Sequence, residues 1–127
     1  MKRVTGLGGV FFKAKDPKAL YEWYRKHLGI ESAPYIGAKW RDADHPEIPG
    51  CNVWAIFPQD TKYFGPGPSP FMINFRVDNL KELLKALRQE GVQVDDKMEE
   101  SEYGNFSWII DPEGNRVELW EPPPSKT

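Results

Sequence analysis

The sequence has little cysteine, little histidine and almost no surplus of charge. Its 127 residues include one cysteine and two histidines, which excludes an internal disulfide and a CxxC-type zinc cluster. Seventeen basic against 19 acidic side chains give a net charge of −2, so the chain lacks the basic surface of nucleic-acid or membrane-surface binding proteins. No apolar run approaches the roughly 18 residues of a membrane span, and no secretory signal is recognisable. These absences predict a cytoplasmic protein.

The composition is that of one ordinary folded domain, with 39% hydrophobic, 13% aromatic and 28% charged residues. A helical pattern occurs twice along the chain. The first begins at Asp16-Pro17, an N-cap followed by a proline at the first helical position, and ends at Gly29. The second begins at Asn79 and ends at Gly91.

The two helices belong to a repeat. A strand-like run precedes each of them, at 10–14 and 71–77, and a shift of 63 residues superposes Phe12 on Phe75 and Asp16 on Asn79. Further strands are predicted at 35–40, 53–57, 92–94, 106–110 and 117–120, the last two joined as a hairpin through 111–115. The predicted fold is therefore α+β, with two βαβββ modules in a single domain. Module one covers about 1–60, a Pro/Gly-rich linker about 61–70, module two about 71–121, and a tail 122–127.

The segment Asp111-Pro-Glu-Gly-Asn-Arg-Val-Glu-Leu-Trp-Glu121, with the helix pattern of 15–29, resembles the vicinal-oxygen-chelate superfamily. That superfamily includes glyoxalase I, bleomycin-resistance proteins, fosfomycin-resistance enzymes and extradiol dioxygenases. The resemblance implies a glyoxalase-like curved mixed sheet around a central cavity. It also implies a small-molecule ligand and a homodimer.

Metal-dependent members carry a histidine on the first strand of each module and a carboxylate or similar ligand on the last strand, which together bind a divalent metal. Carried over to this sequence, those positions are Gly9, Ala55, Met72 and Glu118. Only Glu118 retains a ligand, so we expect no metal and no other cofactor. The remaining route to a metal is His45 in the polar loop 42–47, whereas His27 is interpreted as a residue that favours a helix C-terminus.

Strand alternation predicts which side chains line the cavity. Trp54 and Trp108 are also placed beside the cavity, and Trp40 is placed at its rim. The opposite parity, which includes Phe12 and Phe75, is predicted to face the helices. The predicted ligand-binding residues are Phe11, Trp54, Met72, Asn74, Arg76, Trp108, Glu118 and Trp120.

Glu118 has three interpretations from sequence: a ligand contact, a general acid or base, or a structural partner of Arg76 or Arg116. The preferred function is a metal-free small-molecule-binding protein similar to the bleomycin-resistance branch. The alternative is a metal-dependent lyase, isomerase or dioxygenase of the glyoxalase type with a rearranged site. A metal-independent enzyme using Glu118 as base, and a purely structural interaction domain, also remain open.

Overall fold

A computed structural model describes residues 3–30, 39–41 and 49–123, with side chains described for 3–30 and 52–123. The predictions for 35–38 and His45, and for the ring of Trp40, lie outside this description. No helix within it is long and apolar enough to cross a membrane. The elements, in chain order, are β1 (Val4–Ala14), α1 (Pro17–Leu28), β2 (Lys39–Arg41), β3 (Pro49–Cys51), β4 (Val53–Pro58), β5 (Phe71–Val77), α2 (Leu80–Gln89), β6 (Gln93–Ser101), β7 (Gly104–Ile110) and β8 (Arg116–Glu121).

Both helices begin where the sequence predicts. The Asp16 carboxylate accepts the backbone N–H of Ala19 at 3.1 Å, and the Asn79 side chain accepts that of Glu82 at 3.2 Å. Each bond satisfies one of the N–H groups that a helix start leaves without a partner. Gly29 follows α1 in the left-handed conformation at φ 72°, which a glycine adopts without steric cost.

The chain divides into two compact units, which we call the N-terminal unit (Gly8–Phe71) and the C-terminal unit (Met72–Thr127 with Met1–Leu7). The division after Phe71 lies close to the predicted end of the linker. Two details differ from the predicted modules. The first seven residues belong with the C-terminal unit, and the segment 61–70 packs within the N-terminal unit, where Phe64 is buried against Phe57 with ring centroids 5.1 Å apart.

In the N-terminal unit, β1 and β4 pair in parallel, with Gly9 opposite Val53 and Phe11 opposite Ala55. Helix α1 contacts these strands through its tyrosines. The hydroxyl of Tyr21 accepts the backbone N–H of Ile56 on β4 at 2.8 Å. Strands β2 and β3 form an antiparallel pair in the same unit.

In the C-terminal unit the strand order is β5-β8-β7-β6, parallel between β5 and β8 and antiparallel elsewhere, and the predicted β7–β8 hairpin is present. Helix α2 covers one face of this mixed sheet. The apolar core between them confirms the predicted helix-facing positions Phe75, Val117 and Leu119. Its other members are Val77, Leu80, Leu83, Leu84, Leu87, Val94, Met98 and Ile109.

Strand β6 is longer than the sequence predicts, since it runs from Gln93 to Ser101 rather than 92–94. Its second half is mostly charged, which conceals the apolar alternation of a typical strand. β6 ends the strand order of this unit, and charged side chains are common on edge strands because they discourage pairing with other chains.

Candidate functional site

A buried polar cluster lies on the sheet face of the C-terminal unit opposite α2. Glu118 on β8 is directly opposite Asn74 on β5 and Trp108 on β7. Asn74 Nδ2 donates to Glu118 Oε1 at 2.6 Å, and Trp108 Nε1 donates to Glu118 Oε2 at 2.9 Å. The three side chains are 1–2% exposed. The cluster thus holds a carboxylate away from solvent, with a neighbouring strand supplying a donor to each oxygen.

These contacts bear on the three interpretations of Glu118. The structure places Asn74 and Trp108, which the sequence did not name as partners of Glu118, at hydrogen-bonding distance of its two oxygens. The strand register would have identified both, because residues directly opposite on paired strands project to the same side of a sheet. Burying a carboxylate costs free energy unless its oxygens accept hydrogen bonds, and here each oxygen accepts one.

Arg116 lies beside the cluster, over the indole ring of Trp108. Its guanidinium is 4.9 Å from the centre of the Trp108 ring, and Nη1 donates to Asp95 Oδ2 at 3.2 Å. The backbone N–H of Lys97, followed by Arg116, lowers the pKa of Asp95 below its ordinary value of 3.8. Asp95 is therefore ionised at neutral pH and stabilises the position of Arg116 over the indole.

The other predicted site residues of β5 and β8 have different surroundings. Met72 is 1% exposed and lies two residues before Asn74 on the same strand face. Arg76, two residues after it, donates from Nε to Thr5 Oγ1 at 3.3 Å. Trp120 stacks on Phe106 and donates to the carbonyl of Tyr103 at 2.8 Å, so its polar group holds the β6–β7 connection.

In the N-terminal unit the predicted site residues are apolar. Phe11 is buried, with ring centroids 5.6 Å from Phe57 and 6.5 Å from Tyr63. Phe57 and Tyr63 are also stacked, at 5.5 Å and nearly parallel. The sequence pattern singles out neither of these last two aromatics, since Phe57 ends a predicted strand and Tyr63 lies in the predicted linker.

Trp54 differs from the expectation that it shares a face with Phe11. It lies on the α1 side, 5.0 Å from the ring of Tyr24 and 4.9 Å from that of Phe12. The physical reason is strand alternation, since Trp54 is opposite Val10 while Ala55 is opposite Phe11. The 63-residue shift would have indicated this, because it pairs Trp54 with Val117, which faces α2.

Of the four positions that the resemblance assigns to a metal, only Glu118 carries an oxygen or nitrogen ligand. Gly9 has no side chain and no room for one, since an added Cβ would lie 2.5 Å from the carbonyl oxygen of Val53. Ala55 and Met72 supply no nitrogen or oxygen ligand, and Glu118 accepts bonds from Asn74 and Trp108. No group of three or more His, Cys, Asp or Glu suited to a metal occurs in the described residues, which exclude His45.

Solved structures show the same fold at low sequence identity. The methylmalonyl-CoA epimerase of Mycobacterium tuberculosis is 22% identical, with a TM-score of 0.65 over 98% of this chain and 92% of that one. A Streptomyces coelicolor methylmalonyl-CoA epimerase variant in complex with 2-nitronate-propionyl-CoA is 19% identical, with a TM-score of 0.68 over 95% and 99%. The Mn(II)-bound glyoxalase of Novosphingobium aromaticivorans is 18% identical, with a TM-score of 0.64 over 95% of this chain and 40% of that chain.

No curated protein matches the sequence. The model of the glyoxalase-like domain family matches residues 9–120, which include both helices, β1 from Gly9 onward and β8 up to Trp120. This range also contains every residue of the Asn74–Trp108–Glu118 cluster. The chain therefore belongs to the glyoxalase-like domain family, within the vicinal-oxygen-chelate superfamily.

Proposed function

We propose that this glyoxalase-like protein binds a small molecule without a metal ion. The observation that carries the proposal is the state of the four family ligand positions. One is a glycine against the β4 backbone, two are Ala55 and Met72, and the fourth is a carboxylate already hydrogen-bonded by two side chains. Three of these four positions supply no strong ligand to a divalent cation, which prefers oxygen and nitrogen donors.

The buried side chains around Glu118 support binding rather than metal chemistry. Met72, Asn74 and Trp108 are buried and combine apolar groups with a few fixed polar atoms, which are the kinds of groups that line small-molecule sites. We further propose that the protein acts by sequestration, as a cytoplasmic homodimer.

The test is native mass spectrometry of untagged protein purified gently, followed by titration with Ni²⁺, Mn²⁺, Zn²⁺ and Fe²⁺. The expected result is a retained or added organic ligand at one equivalent per chain, unchanged by a chelator. Stoichiometric metal binding that is lost in Glu118→Ala would overturn the metal-free proposal. Glu113→Ala is the matched control, because Glu113 lies in the exposed β7–β8 turn.

The metal-dependent alternative has one observation in its favour. A structural neighbour of the same fold is a Mn(II)-bound glyoxalase. In this chain such a site would have to combine Glu118 with ligands other than those at positions 9, 55 and 72. Turnover of a glyoxalase-type substrate that requires added Mn²⁺ and ceases with chelator would favour this alternative.

A further inference from the structure

The N-terminal unit contains a surface cavity of about 330 Å³ that is lined by none of the predicted site residues. It is formed by the end of β1, the residue that follows β4 and the proline-rich segment before β5. A volume of this size is at the lower end of the range of small-molecule sites. The lining residues are Lys13, Ala14, Lys15, Gln59, Pro68 and Pro70.

Hydrogen bonds of the backbone hold the walls of this cavity. The N–H of Lys13 donates to the carbonyl of Pro70 at 2.8 Å, which joins β1 to the proline-rich segment. On the other wall, the N–H of Thr61 donates to the carbonyl of Pro58 at 3.0 Å and closes a turn that contains Gln59. The prolines of the lining also have a restricted backbone φ. The backbone around the cavity is therefore in place before a ligand binds.

Two lysines give the cavity a positive charge. Lys13 is half-buried, and its Nζ lies 5.4 Å from the centre of the buried Phe64 ring, a cation–π contact that favours one position of the ammonium. Lys15 is exposed. In the part of the chain whose side chains are described, neither lysine forms an ion pair. The neighbouring carboxylates of Asp16 and Asp60 are not among the described lining groups, and that of Asp16 caps α1.

The charge of the lining indicates the class of ligand. Two ammonium groups at one cavity repel each other, and a dianion offsets both charges. A phosphate monoester carries about −1.5 to −2 charges at pH 7 and three acceptor oxygens. Those oxygens suit the N–H donors of two lysines and of the Gln59 amide, whereas the prolines and Ala14 offer apolar contact to the rest of such a molecule.

We infer that this cavity binds the phosphate group of a small phosphate monoester. Lys13 and Lys15 are its cationic partners, and Gln59 is a further hydrogen-bond donor. Lys13 is the better positioned of the two lysines, because its ammonium lies over Phe64. The inference goes beyond the proposed function, since the cavity shares no residue with the cluster around Glu118.

The test compares phenyl phosphate with phenyl sulfate, which has nearly the same shape and one negative charge fewer. Dissociation constants are measured on the full chain by NMR, from the movement of the backbone amide signals of residues 13–15 and 59. At about pH 8 the phosphate is expected to bind about fivefold tighter than the sulfate. At about pH 5 the phosphate has lost its second charge, so the difference is expected to disappear.

Substitutions locate the effect. Lys13→Gln and Lys15→Gln are each expected to weaken the binding of phenyl phosphate about fivefold at about pH 8. Lys13→Arg keeps the charge and is expected to retain most of the affinity. Lys26→Gln is the matched control, because it removes one positive charge from an exposed residue of α1 that does not line the cavity, and it should change the affinity less than about twofold.

Equal affinities for the two probes at about pH 8, or amide signals that do not move with either probe, overturn the inference. An equal loss of affinity in Lys26→Gln also overturns it, since the attraction would then come from the overall charge of the protein. The comparison of probes on the unaltered protein stands even where Lys13→Gln does not fold. None of these results alters the test of the proposed function, which depends on metal and ligand binding beside Glu118.

Discussion

The two units share an order of strand, helix and strand, yet their helices are attached to their sheets by different chemistry. In the C-terminal unit, α2 buries Leu80, Leu83 and Leu84 in an aliphatic core. In the N-terminal unit, none of the 12 residues of α1 is fully buried. Its contacts include aromatic edges, with Tyr24 against both Phe12 and Trp54. The two halves of the sequence repeat therefore have the same order of elements but pack their helices differently.

The same contrast holds on the other side of the strands. The C-terminal unit places a buried carboxylate, Glu118, with Asn74 and Trp108, whereas the position equivalent to Glu118 by the 63-residue shift is Ala55. Opposite Ala55 the N-terminal unit has Phe11 instead, whose ring contacts Phe57 at a tilt of 50°. At these equivalent positions the C-terminal unit thus has hydrogen-bonding groups, and the N-terminal unit has apolar rings.

The largest expected effect comes from truncating equivalent leucines on the two helices, Leu83 of α2 and Leu20 of α1. Leu83→Ala removes a 3% exposed side chain, and the loss of transfer energy plus the cavity should destabilise the protein by about 2–5 kcal/mol. Leu20→Ala, its counterpart by the 63-residue shift, removes a half-buried side chain and should cost about 1 kcal/mol. Urea denaturation measures both changes.

Leu28→Ala is the control for this pair, because Leu28 is 63% exposed at the end of α1 and should change stability by less than about 0.5 kcal/mol. Equal losses at Leu20 and Leu83 would show that α1 is held as tightly as α2. In that case the difference in packing between the units would have no energetic meaning.

The helix starts and the β7–β8 turn are predictable from the sequence because helix caps and tight turns are local signals. Asp16, Asn79 and the 111–115 turn each specify their structure through neighbouring backbone groups. The extent of β6 was missed because charged edge residues hide the alternation, and β3 because it has only three residues. Such elements are defined by their pairing partners, which lie far away in sequence.

For the candidate site, the sequence predicts which strand face a side chain lies on, but not which side chains it contacts. Alternation places Asn74 and Glu118 on one face, as their register shows, whereas the pairing of Trp54 with Val10, which puts Trp54 on the α1 side, cannot be read from the sequence. The partnership of Glu118 with Trp108 required the β7–β8 register, which the hairpin turn alone does not determine to the residue. Orientation of the Asn74 amide depends on that same three-strand arrangement.

The second prediction compares two buried tryptophan N–H groups. Trp108→Phe removes the bond from Nε1 to the buried Glu118 carboxylate, and it should destabilise the protein by about 1.5–3 kcal/mol, as expected for a hydrogen bond to a charged group. Trp54→Phe removes a buried Nε1 that makes no hydrogen bond among the described residues. Its cost should be less than half as large, since only ring area is lost. Chemical denaturation of the two variants tests the difference.

A double-mutant cycle isolates the contact. Combining Trp108→Phe with Glu118→Gln should give a coupling energy of about 1 kcal/mol or more, because each single change already removes the charge-assisted bond. Trp54→Phe combined with Glu118→Gln should be additive. Additivity in both combinations would mean that the hydrogen bond from Trp108 does not stabilise Glu118.

The smallest expected effect concerns strand β1, which contributes residues to both units. Gly9→Ala adds a Cβ that meets the carbonyl oxygen of Val53 at 2.5 Å, and overpacking of this kind should cost about 1–3 kcal/mol. Gly6→Ala adds a Cβ with no atom within 4 Å, so stability should be unchanged or raised by up to about 1 kcal/mol. Thermal denaturation distinguishes them. Similar, small changes at both positions would mean that β4 can move away from β1, and a side chain at position 9 would then have room to reach a metal. A cost confined to Gly9 would mean that the backbone of β4 itself closes the family's first ligand position.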